Sequence, residues 1–251
     1  MYSSIARRFR PGLLPTLVVL ALLPALISLG FWQLGRAEEK RQLLALDAQH
    51  RVAEPVTSTQ LEALQAPAFR RVLLRGQFDA DHSLILDNRQ RDGRAGIELL
   101  QPFRDEASGL WVLVNRGWMP WQDRRTPPHF DTPGQVLNLQ AWVYVPPGAT
   151  YQLHADPANQ QWPRLVTALD PGKLWAELGR EGYAHELRLT PGPAAYQLGW
   201  PVVSLGPEQH IGYAVQWFAM SLTLAGLYVY LGFNNKKEKR HGSSHESTRP
   251  V

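Results

Sequence analysis

Two long stretches without Asp, Glu, Lys or Arg, one near each end of the chain, limit its architecture more than any other feature. The first covers residues 11–35 and the second covers residues 209–235. A helix needs about 20 apolar residues to cross a bilayer, and both stretches exceed that length. The pattern therefore predicts a membrane protein with two transmembrane α-helices, one on either side of a large central segment.

The basic residues around these stretches indicate the orientation. They precede the first stretch and follow the second: Arg7, Arg8, Arg10, Lys236, Lys237, Lys239 and Arg240. The positive-inside rule places such clusters in the cytoplasm. Arg36, Lys40 and Arg41 make the first stretch ambiguous, but residues 189–208 contain no Lys or Arg. The central segment is therefore expected outside the cytoplasm. Because the first apolar run is too long for a cleaved signal, it is interpreted as an uncleaved anchor.

This topology favours a bacterial inner-membrane protein with a periplasmic domain over a processed mitochondrial protein. The basic ends are expected to contact anionic membrane lipid. The polar residues beyond Lys236 predict a disordered tail. The predicted organisation is a basic cytoplasmic N-terminus (1–10), transmembrane helix 1 (11–35), a periplasmic domain (36–208), transmembrane helix 2 (209–233) and a basic cytoplasmic tail (234–251).

Composition narrows the function classes. Asp and Glu outnumber Lys and Arg over residues 37–208, so nothing suggests nucleic-acid binding. The chain has no cysteine, which removes disulfides, thiolate metal sites and covalent haem attachment. It also lacks the motifs of serine hydrolases, zinc peptidases, P-loop proteins and dinucleotide-binding enzymes. The histidines of the central domain have no metal-ligand spacing. The chain is therefore expected not to be an enzyme.

The central domain is predicted to be mainly antiparallel β (α+β), folded as a sandwich or a partly open barrel. Alternating or β-branched runs separated by turn residues predict strands at 70–78, 83–88, 96–103, 110–116 and 136–145. Weaker strand candidates are 150–154, 164–167, 185–190 and 195–199. Helices are expected at 36–49, continuing the first span, at 59–66 with a Thr59/Glu62 capping box, and at 171–180 with Asp170 as cap and Pro171 at the first position.

Two segments of the domain place Asn-Arg at the end of an apolar strand, followed by glycine. They are residues 87–96 and residues 113–121. The functional interpretation is a partner-docking face, because Arg and Trp are frequent interface anchors. Its members would be Arg89, Arg91, Arg94, Arg116, Trp118 and Trp121, together with Asn115 and Gly117. The structural interpretation, which we favour, is that strands end on Gly turns with the arginine exposed and Trp118 in the core.

The second span carries an ionisable residue, His210, at its outer start. Such a residue near a membrane is a candidate functional group. Helical spacing predicts a shared face with Tyr213, Ala214, Trp217 and Ser221. In an antiparallel hairpin the outer end of the first span lies at the same depth, and it offers Gly30, Trp32, Gln33 and Arg36.

Together these two ends can form a flat slot with one imidazole, aromatic walls and an arginine at the rim. A haem needs an axial nitrogen, apolar walls and a cation near its propionates. The helix N-terminus disfavours a charged imidazole, which leaves a nitrogen free to bind iron. The alternative is an interfacial histidine beside an aromatic belt, with Arg36 reaching to the surface. The residues alone leave these two interpretations open.

Three ordered motifs resemble the surfeit-locus (SURF) family of cytochrome c oxidase assembly proteins. Residues 29–36 (LGFWQLGR), with Lys40 beyond them, resemble its opening motif. Residues 113–118 (LVNRGW) resemble its central motif, and residues 96–102 its preceding strand. Residues 210–218 (HIGYAVQWF) resemble its second-span motif. The resemblance covers both spans and much of the domain, in the same order.

This resemblance implies a role in building the haem–copper oxidase, at the haem a step of its catalytic subunit. It implies that haem a is bound at His210, with Tyr213, Trp217, Trp32, Gln33 and Arg36 around it. The implied partners are cytochrome c oxidase subunit I and haem a synthase. A cofactor-free scaffold that holds either of these partners is the alternative, and an unrecognised periplasmic enzyme is a third hypothesis without a supporting motif. The Pro-rich loops 120–133 and 155–163 match no part of the family that we can place.

Overall fold

The computed structural model describes residues 9, 11–123, 125–146, 148 and 161–234. The basic tails that carry the orientation argument, the predicted disordered tail and the strand candidate 150–154 lie outside the described residues. The chain divides into two compact units, one made of residues 1–42 and 203–251 and the other of residues 43–202. Each unit is described by itself.

The elements follow one another in the order α1, β1, a 3-10 helix, β2 to β7, α2, β8 and α3. The helices are α1 (Leu13–Val52), the 3-10 helix (Ser58–Ala63), α2 (Pro171–Leu178) and α3 (Pro207–Asn234). The strands are β1 (Val56–Thr57), β2 (Arg71–Phe78), β3 (Leu84–Arg91), β4 (Arg94–Asp105), β5 (Trp111–Pro120), β6 (Leu137–Tyr144), β7 (Arg164–Val166) and β8 (Gly182–Leu189).

In the first unit, α1 and α3 pack side by side in opposite directions. Both helices are long and apolar enough to cross a membrane. At one end of the pair Thr16 Oγ1 lies 3.0 Å from the Tyr228 hydroxyl, and at the other end Gln33 contacts His210. Gly30 permits close approach, since a Cβ there would lie 2.5 Å from Cε1 of Phe218. The predicted continuation of the first span through residues 36–49 is confirmed, because α1 runs unbroken to Val52.

In the second unit, five strands form a closed ring. The order is β2-β6-β8-β5-β4, and the antiparallel pairing of β2 with β4 closes it. β1 extends the sheet from β2, while β3 and β7 extend it from β4. The domain is therefore barrel-like, which decides between the two predicted architectures. Most pairs are antiparallel, but β5–β8, β3–β7 and β1–β2 are parallel.

Alternating apolar residues explain the core. In β2 every second residue is buried from Val72 to Phe78, which follows from the alternation of side chains across a strand. The main core includes Val72, Phe103, Val114 and Leu187. A second cluster, which includes Leu86, Leu113 and Trp175, brings α2 onto other strand residues.

The local helix signals were predicted with mixed success. Asp170 caps α2 by accepting a hydrogen bond from the Lys173 N–H (3.0 Å), and Pro171 is the first helical residue, as predicted. The helix predicted at 59–66 is a 3-10 helix, and its capping box is formed by Thr57 and Gln60. The Thr59/Glu62 capping box is therefore wrong, because the N-cap is Thr57, two residues before Thr59.

The strand candidate at 195–199 is not confirmed. Within it, only Gln197 forms a bridge, to Trp118 of β5. Gly192 to Gly199 instead runs across the end of β5, and Tyr196 donates its N–H to the Arg116 carbonyl (2.6 Å). The other predicted strands that lie within the described residues are present, and β3 and β4 extend further toward their shared turn than predicted.

Candidate functional site

The Asn-Arg pair of β5 lies at the centre of a buried polar network. The Asn115 amide nitrogen donates to Glu98 Oε2 (2.7 Å) and to Glu186 Oε1 (2.8 Å). Its amide oxygen accepts the Gly117 N–H (2.9 Å). Asn115 is fully buried, and it joins carboxylates from β4 and β8, the two strands on either side of β5. The residue therefore holds the sheet together at the point where two buried acids meet.

Arg116 is the second member of this pair, and it is also buried. Its Nη1 donates to Gln101 Oε1 (2.5 Å) and its Nε donates to the Ala194 carbonyl (2.7 Å). The guanidinium lies over the rings of Phe78 and Tyr196. Burial lowers the pKa of Arg116, although Tyr196 and Asp131 oppose that shift. These contacts tie the segment after β8 to the barrel.

An aromatic cluster surrounds the other buried arginine of the network. Arg188 donates from Nε to Glu186 Oε1 (2.9 Å) and lies 3.5 Å above the Tyr144 ring centre. Trp142 and Trp200 also contact its guanidinium. The Trp200 indole N–H donates to Glu98 Oε1 (3.2 Å), which connects the cluster back to Asn115. Cation–π contacts and ion pairs together stabilise the buried charges.

The predicted docking residues are thus mostly internal. Asn115, Arg116 and Trp118 are buried, and the Trp118 indole N–H donates to the Arg89 carbonyl (3.0 Å). Gly117 has φ +114°, and a Cβ would lie 2.9 Å from the Gln197 carbonyl oxygen. Arg89 is half-buried. Trp118 lies in the core, as the structural interpretation predicted. The rest of that interpretation is wrong, because β5 continues through Gly117 to Pro120 and Arg116 is buried.

Among the other predicted docking residues, Arg91 binds the segment that follows β8. Its guanidinium donates to the carbonyls of Gln197, Leu198 and Gly199. Arg94 is exposed, and the indole N–H of half-buried Trp121 donates to the Thr126 carbonyl. Arg94 is thus the member of the predicted face that the structure leaves at the surface.

The helix pair contains a polar contact between two residues that the sequence placed at the same depth. His210, in the first turn of α3, lies with its Nδ1 2.7 Å from Oε1 of Gln33 on α1. With that oxygen as acceptor, Nδ1 carries the ring proton and the lone pair of a neutral imidazole is on Nε2. His210 is buried, with 7% of its surface exposed. Gln33 therefore sets both the orientation and the tautomer of the ring.

The other ring nitrogen of His210 has no hydrogen-bond partner in the part of the chain that the structure describes. Nε2 is buried and forms no hydrogen bond among the described residues. The same is true of Nε in Arg70, Arg71, Arg89 and Arg164, but each guanidinium has four further N–H donors. An imidazole has only two ring nitrogens, so one unpaired nitrogen leaves half of its hydrogen-bonding groups unused. A buried, unpaired lone pair of this kind is what an axial iron ligand requires.

The structure brings only part of the predicted haem slot together. Ala214 and Ser221 are buried on the same side of α3 as His210, and Trp217 is half-buried. Tyr213 is 44% exposed and Trp32 is 56% exposed, so neither forms a buried wall beside the imidazole. Gly30 accommodates the Phe218 ring. The pair Gln33–His210 is the contact within the predicted slot that the described residues record.

The predicted rim cation is engaged elsewhere. Arg36 forms an ion pair with Glu39, one turn along α1, and its side chain is 39% exposed. A residue that the slot prediction omitted is more buried. Lys40 is only 9% exposed, and Ala37 between them is 1% exposed. The spacing of seven residues from Gln33 was the available signal, since it is close to two helical turns.

The carboxylates of Asp105 and Asp79 stabilise the fold of the β domain. Burial raises the pKa of Asp105, but hydrogen bonds from Ser58, the Arg75 N–H and Ser108 hold its pKa below the ordinary value. Burial likewise acts against ionised Asp79, while hydrogen bonds from Arg180 and His82 lower its pKa. No group of three or more His, Cys, Asp or Glu residues suited to a metal ion occurs in the part of the chain that the structure describes.

A groove of about 900 Å³ lies elsewhere on the β domain, between the 3-10 helix, the β4–β5 turn and α2. Ser58, Glu62, Ser108, Trp175 and Arg180 are among its lining residues. None of the site residues predicted from the sequence lines this groove.

Two helices long enough to cross a membrane, with a β-barrel-like domain between them in the chain, define the class of this protein. Within that class, the chain belongs to the SURF1 family, whose model matches residues 20–222. The resemblance seen in the three motifs is therefore confirmed.

Individual relatives agree with this assignment. A SURF1-like protein of Rickettsia felis is 28% identical over 222 residues, which cover 85% of this chain and 94% of the relative. A SURF1-like protein of Monosiga brevicollis is 24% identical over 81% of this chain and 82% of its own length. The cytochrome oxidase assembly protein SHY1 of Saccharomyces cerevisiae is 26% identical over 144 residues, covering 53% of this chain and 37% of its own.

Proposed function

We propose that this protein assists the assembly of cytochrome c oxidase by binding haem a and delivering it to, or stabilising it in, the catalytic subunit. Membership of the SURF1 family and similarity to a cytochrome oxidase assembly protein support the assembly role. The proposed partners are oxidase subunit I, which receives the haem, and haem a synthase, which supplies it. We propose no catalytic step for this chain.

The observation that carries the haem part of the proposal is the buried, unpaired Nε2 of His210. Burial of a polar atom without a hydrogen bond is costly, so such atoms are rare in folded proteins. A ligand that accepts the lone pair removes this cost. The imidazole is also held by Gln33, and metal-bound histidines commonly use their second nitrogen in this way.

The donor set fits a haem held through one axial ligand. His210 supplies the nitrogen, and Gln33 keeps the ring proton on the opposite nitrogen. The apolar helix pair excludes water from this nitrogen. Haem a would be the cargo, and its iron would accept the lone pair of His210 Nε2. Because the chain has no cysteine, the haem is not attached covalently through thioethers, and release remains possible.

We further propose that the protein spans a bacterial inner membrane twice, with both termini cytoplasmic and the β domain periplasmic. The two apolar helices support insertion, and the charges around them support the orientation. A protease added to intact spheroplasts would then cleave the β domain and spare a tag on either terminus. Protection of the β domain would contradict this topology.

The test is a titration of the full-length protein with haem a in neutral detergent, followed by absorption spectroscopy. His210→Ala is expected to abolish the bound spectrum. Gln33→Leu is expected to weaken binding about tenfold, in line with the loss of a residue that orients a metal ligand. Gln216→Leu, an exposed glutamine on α3, is the matched control and should bind as wild type does. An unchanged spectrum in His210→Ala would contradict the haem assignment.

A cofactor-free scaffold is the second candidate. The exposure of Phe31 and Trp32 on α1, at 64% and 56%, favours it, because these rings are available to helices of another protein as well as to lipid. It predicts that oxidase subunit I or haem a synthase co-purifies equally with wild type and His210→Ala. Loss of the partners in His210→Ala would count against the scaffold.

A further inference from the structure

We propose that Lys40 binds the carboxylate groups of the cargo, which for a haem are its propionates. This inference rests on the proposed haem function and deepens it. It replaces Arg36, which the sequence had suggested for this role, by a residue that the slot prediction omitted. The argument uses only the unit that contains α1 up to residue 42 and α3.

Lys40 is buried to a degree that is unusual for lysine. Only 9% of its surface is exposed, whereas Glu38 and Glu39 on the same turn are exposed. Lysine is almost never fully buried unless it is paired, since its charge must leave water. The ammonium nitrogen of Lys40 is not among the buried atoms that lack a hydrogen bond, so a buried side-chain stem carries a charged group that reaches the surface and is accessible to a ligand.

The described residues provide no carboxylate for this ammonium group. α1 contains four Lys or Arg residues, and three of them form ion pairs within the helix. Arg36 pairs with Glu39, Arg41 with Glu38 and Arg51 with Asp47. No hydrogen bond or ion pair of the Lys40 side chain is found among the described residues. Lys40 is thus both the most buried of the four cations and the one without a carboxylate.

Lys40 shares a helix face with the residue that holds His210. Seven residues separate it from Gln33, and at about 100° per residue their directions differ by only about 20°. Ala37, between them on this face, is buried as well. Arg36 lies about 60° away from Gln33 around the same helix. The buried face of α1 therefore leads from Gln33 to Lys40 and bypasses Arg36.

The axial positions suit an amphiphilic ligand. A rise of 1.5 Å per residue places Lys40 about 10 Å beyond Gln33 along α1. That direction leads away from the charge-free stretch at 11–35 and toward the charged part of the helix. A ligand bound through His210 would have apolar helix surface on one side and the Lys40 ammonium on the other. This polarity matches a molecule with an apolar body and carboxylates at one edge.

The experiment compares haem a with its dimethyl ester, in which both propionates are neutral. Full-length wild type, Lys40→Gln and Lys40→Arg are titrated with each compound in neutral detergent. Wild type is expected to bind haem a about tenfold more tightly than the ester, because a charge-assisted contact is lost in the ester. Lys40→Gln should bind both compounds equally, at the wild-type affinity for the ester. Lys40→Arg should keep most of the preference.

The control is Arg36→Gln, which removes the neighbouring exposed cation and should retain the full preference for haem a. If Lys40→Gln keeps the wild-type ratio, or if Arg36→Gln loses it, the Lys40 inference is overturned while the haem function stands. If wild type binds neither compound, the haem function itself fails and the inference fails with it. If Lys40→Gln lowers the affinity for haem a and for the ester by the same factor, Lys40 acts only on the packing of the helix pair, and the inference is overturned.

Discussion

The helix pair and the β domain treat buried polar groups in different ways. In the β domain, Asn115 uses both its amide nitrogen and its amide oxygen, and the two carboxylates it contacts each have a further donor. In the helix pair, His210 uses one ring nitrogen of two, and the described residues offer Lys40 no carboxylate. Single Nε atoms of Arg70, Arg71, Arg89 and Arg164 are also unpaired in the β domain. The comparison therefore contrasts the satisfied network around Asn115, which stabilises the fold, with an imidazole that keeps a nitrogen for a ligand.

This comparison assigns different roles to the three family motifs. The central motif at 113–118 is buried and satisfied, so its residues are explained by the stability of the barrel. The motifs at 29–36 and 210–218 contribute the contact that leaves a nitrogen unpaired. A mutation in the central motif should therefore affect the amount of folded protein, and a mutation of Gln33 or His210 should affect binding.

The largest effect is expected for Asn115→Ala, which tests whether the central motif stabilises the fold. The substitution leaves Glu98 and Glu186 buried without the amide between them, which we expect to destabilise the protein by about 3 kcal/mol. For a domain of this size that corresponds to a fall in the thermal midpoint of roughly 10 °C. Thermal unfolding of the full-length protein in detergent measures it. Asn138→Ala, an exposed asparagine of β6, is the matched control and should change little. A midpoint within 2 °C of wild type would contradict the structural role.

Gly30→Ala tests the helix pair. The new Cβ would lie 2.5 Å from Phe218, so overpacking is expected to cost about 2 kcal/mol. The double variant Gly30→Ala/Phe218→Leu should recover most of that loss. Gly35→Ala is the control on the same helix, because no atom lies within 4 Å of its Cβ position. Thermal unfolding in detergent distinguishes these variants. Equal effects at positions 30 and 35 would argue against close helix packing.

Asp105→Asn tests how the β domain depends on pH. Because the pKa of Asp105 is lower in the folded state than its ordinary value of 3.8, the ionised carboxylate stabilises the fold above that pH. The contribution is lost as the pH falls through the folded pKa. We expect the variant to be about 1.5 kcal/mol less stable at pH 7, with the difference shrinking below pH 3.8. Asp81→Asn, at an exposed position, should show no such trend. A difference that stays constant over this range would refute the assignment.

Much of the β domain was predictable because strands are recognised from their own residues. The alternation in residues 70–78 predicts β2 to within one residue of its observed start. Strand order is different, since it depends on contacts between distant segments. Nothing local in residues 185–190 indicates that β8 lies between β5 and β6 and runs parallel to β5. The closure into a ring therefore remained one of two possibilities.

The candidate site was also predicted only in part, because it too depends on contacts between distant segments. The common depth of Gln33 and His210 was predicted, because antiparallel spans fix which residues lie at one level, but the hydrogen bond between them was not. Exposure around each helix was predicted less well. Tyr213 and Ala214 were assigned to one face, but Tyr213 is exposed and Ala214 is buried. Spacing alone places residues within a broad arc, and the packing partner decides which part of that arc is covered.

The position of β8 also determines when the barrel can form during synthesis. This strand is the last of the eight to be made, yet it occupies a place between β5 and β6, which are finished much earlier. Until residue 189 leaves the ribosome, both neighbours have an unpaired edge. Contacts between segments so far apart in sequence form slowly, and open strand edges attract chaperones, proteases and other chains. Nascent chains of this protein therefore expose the facing edges of β5 and β6 until β8 is complete.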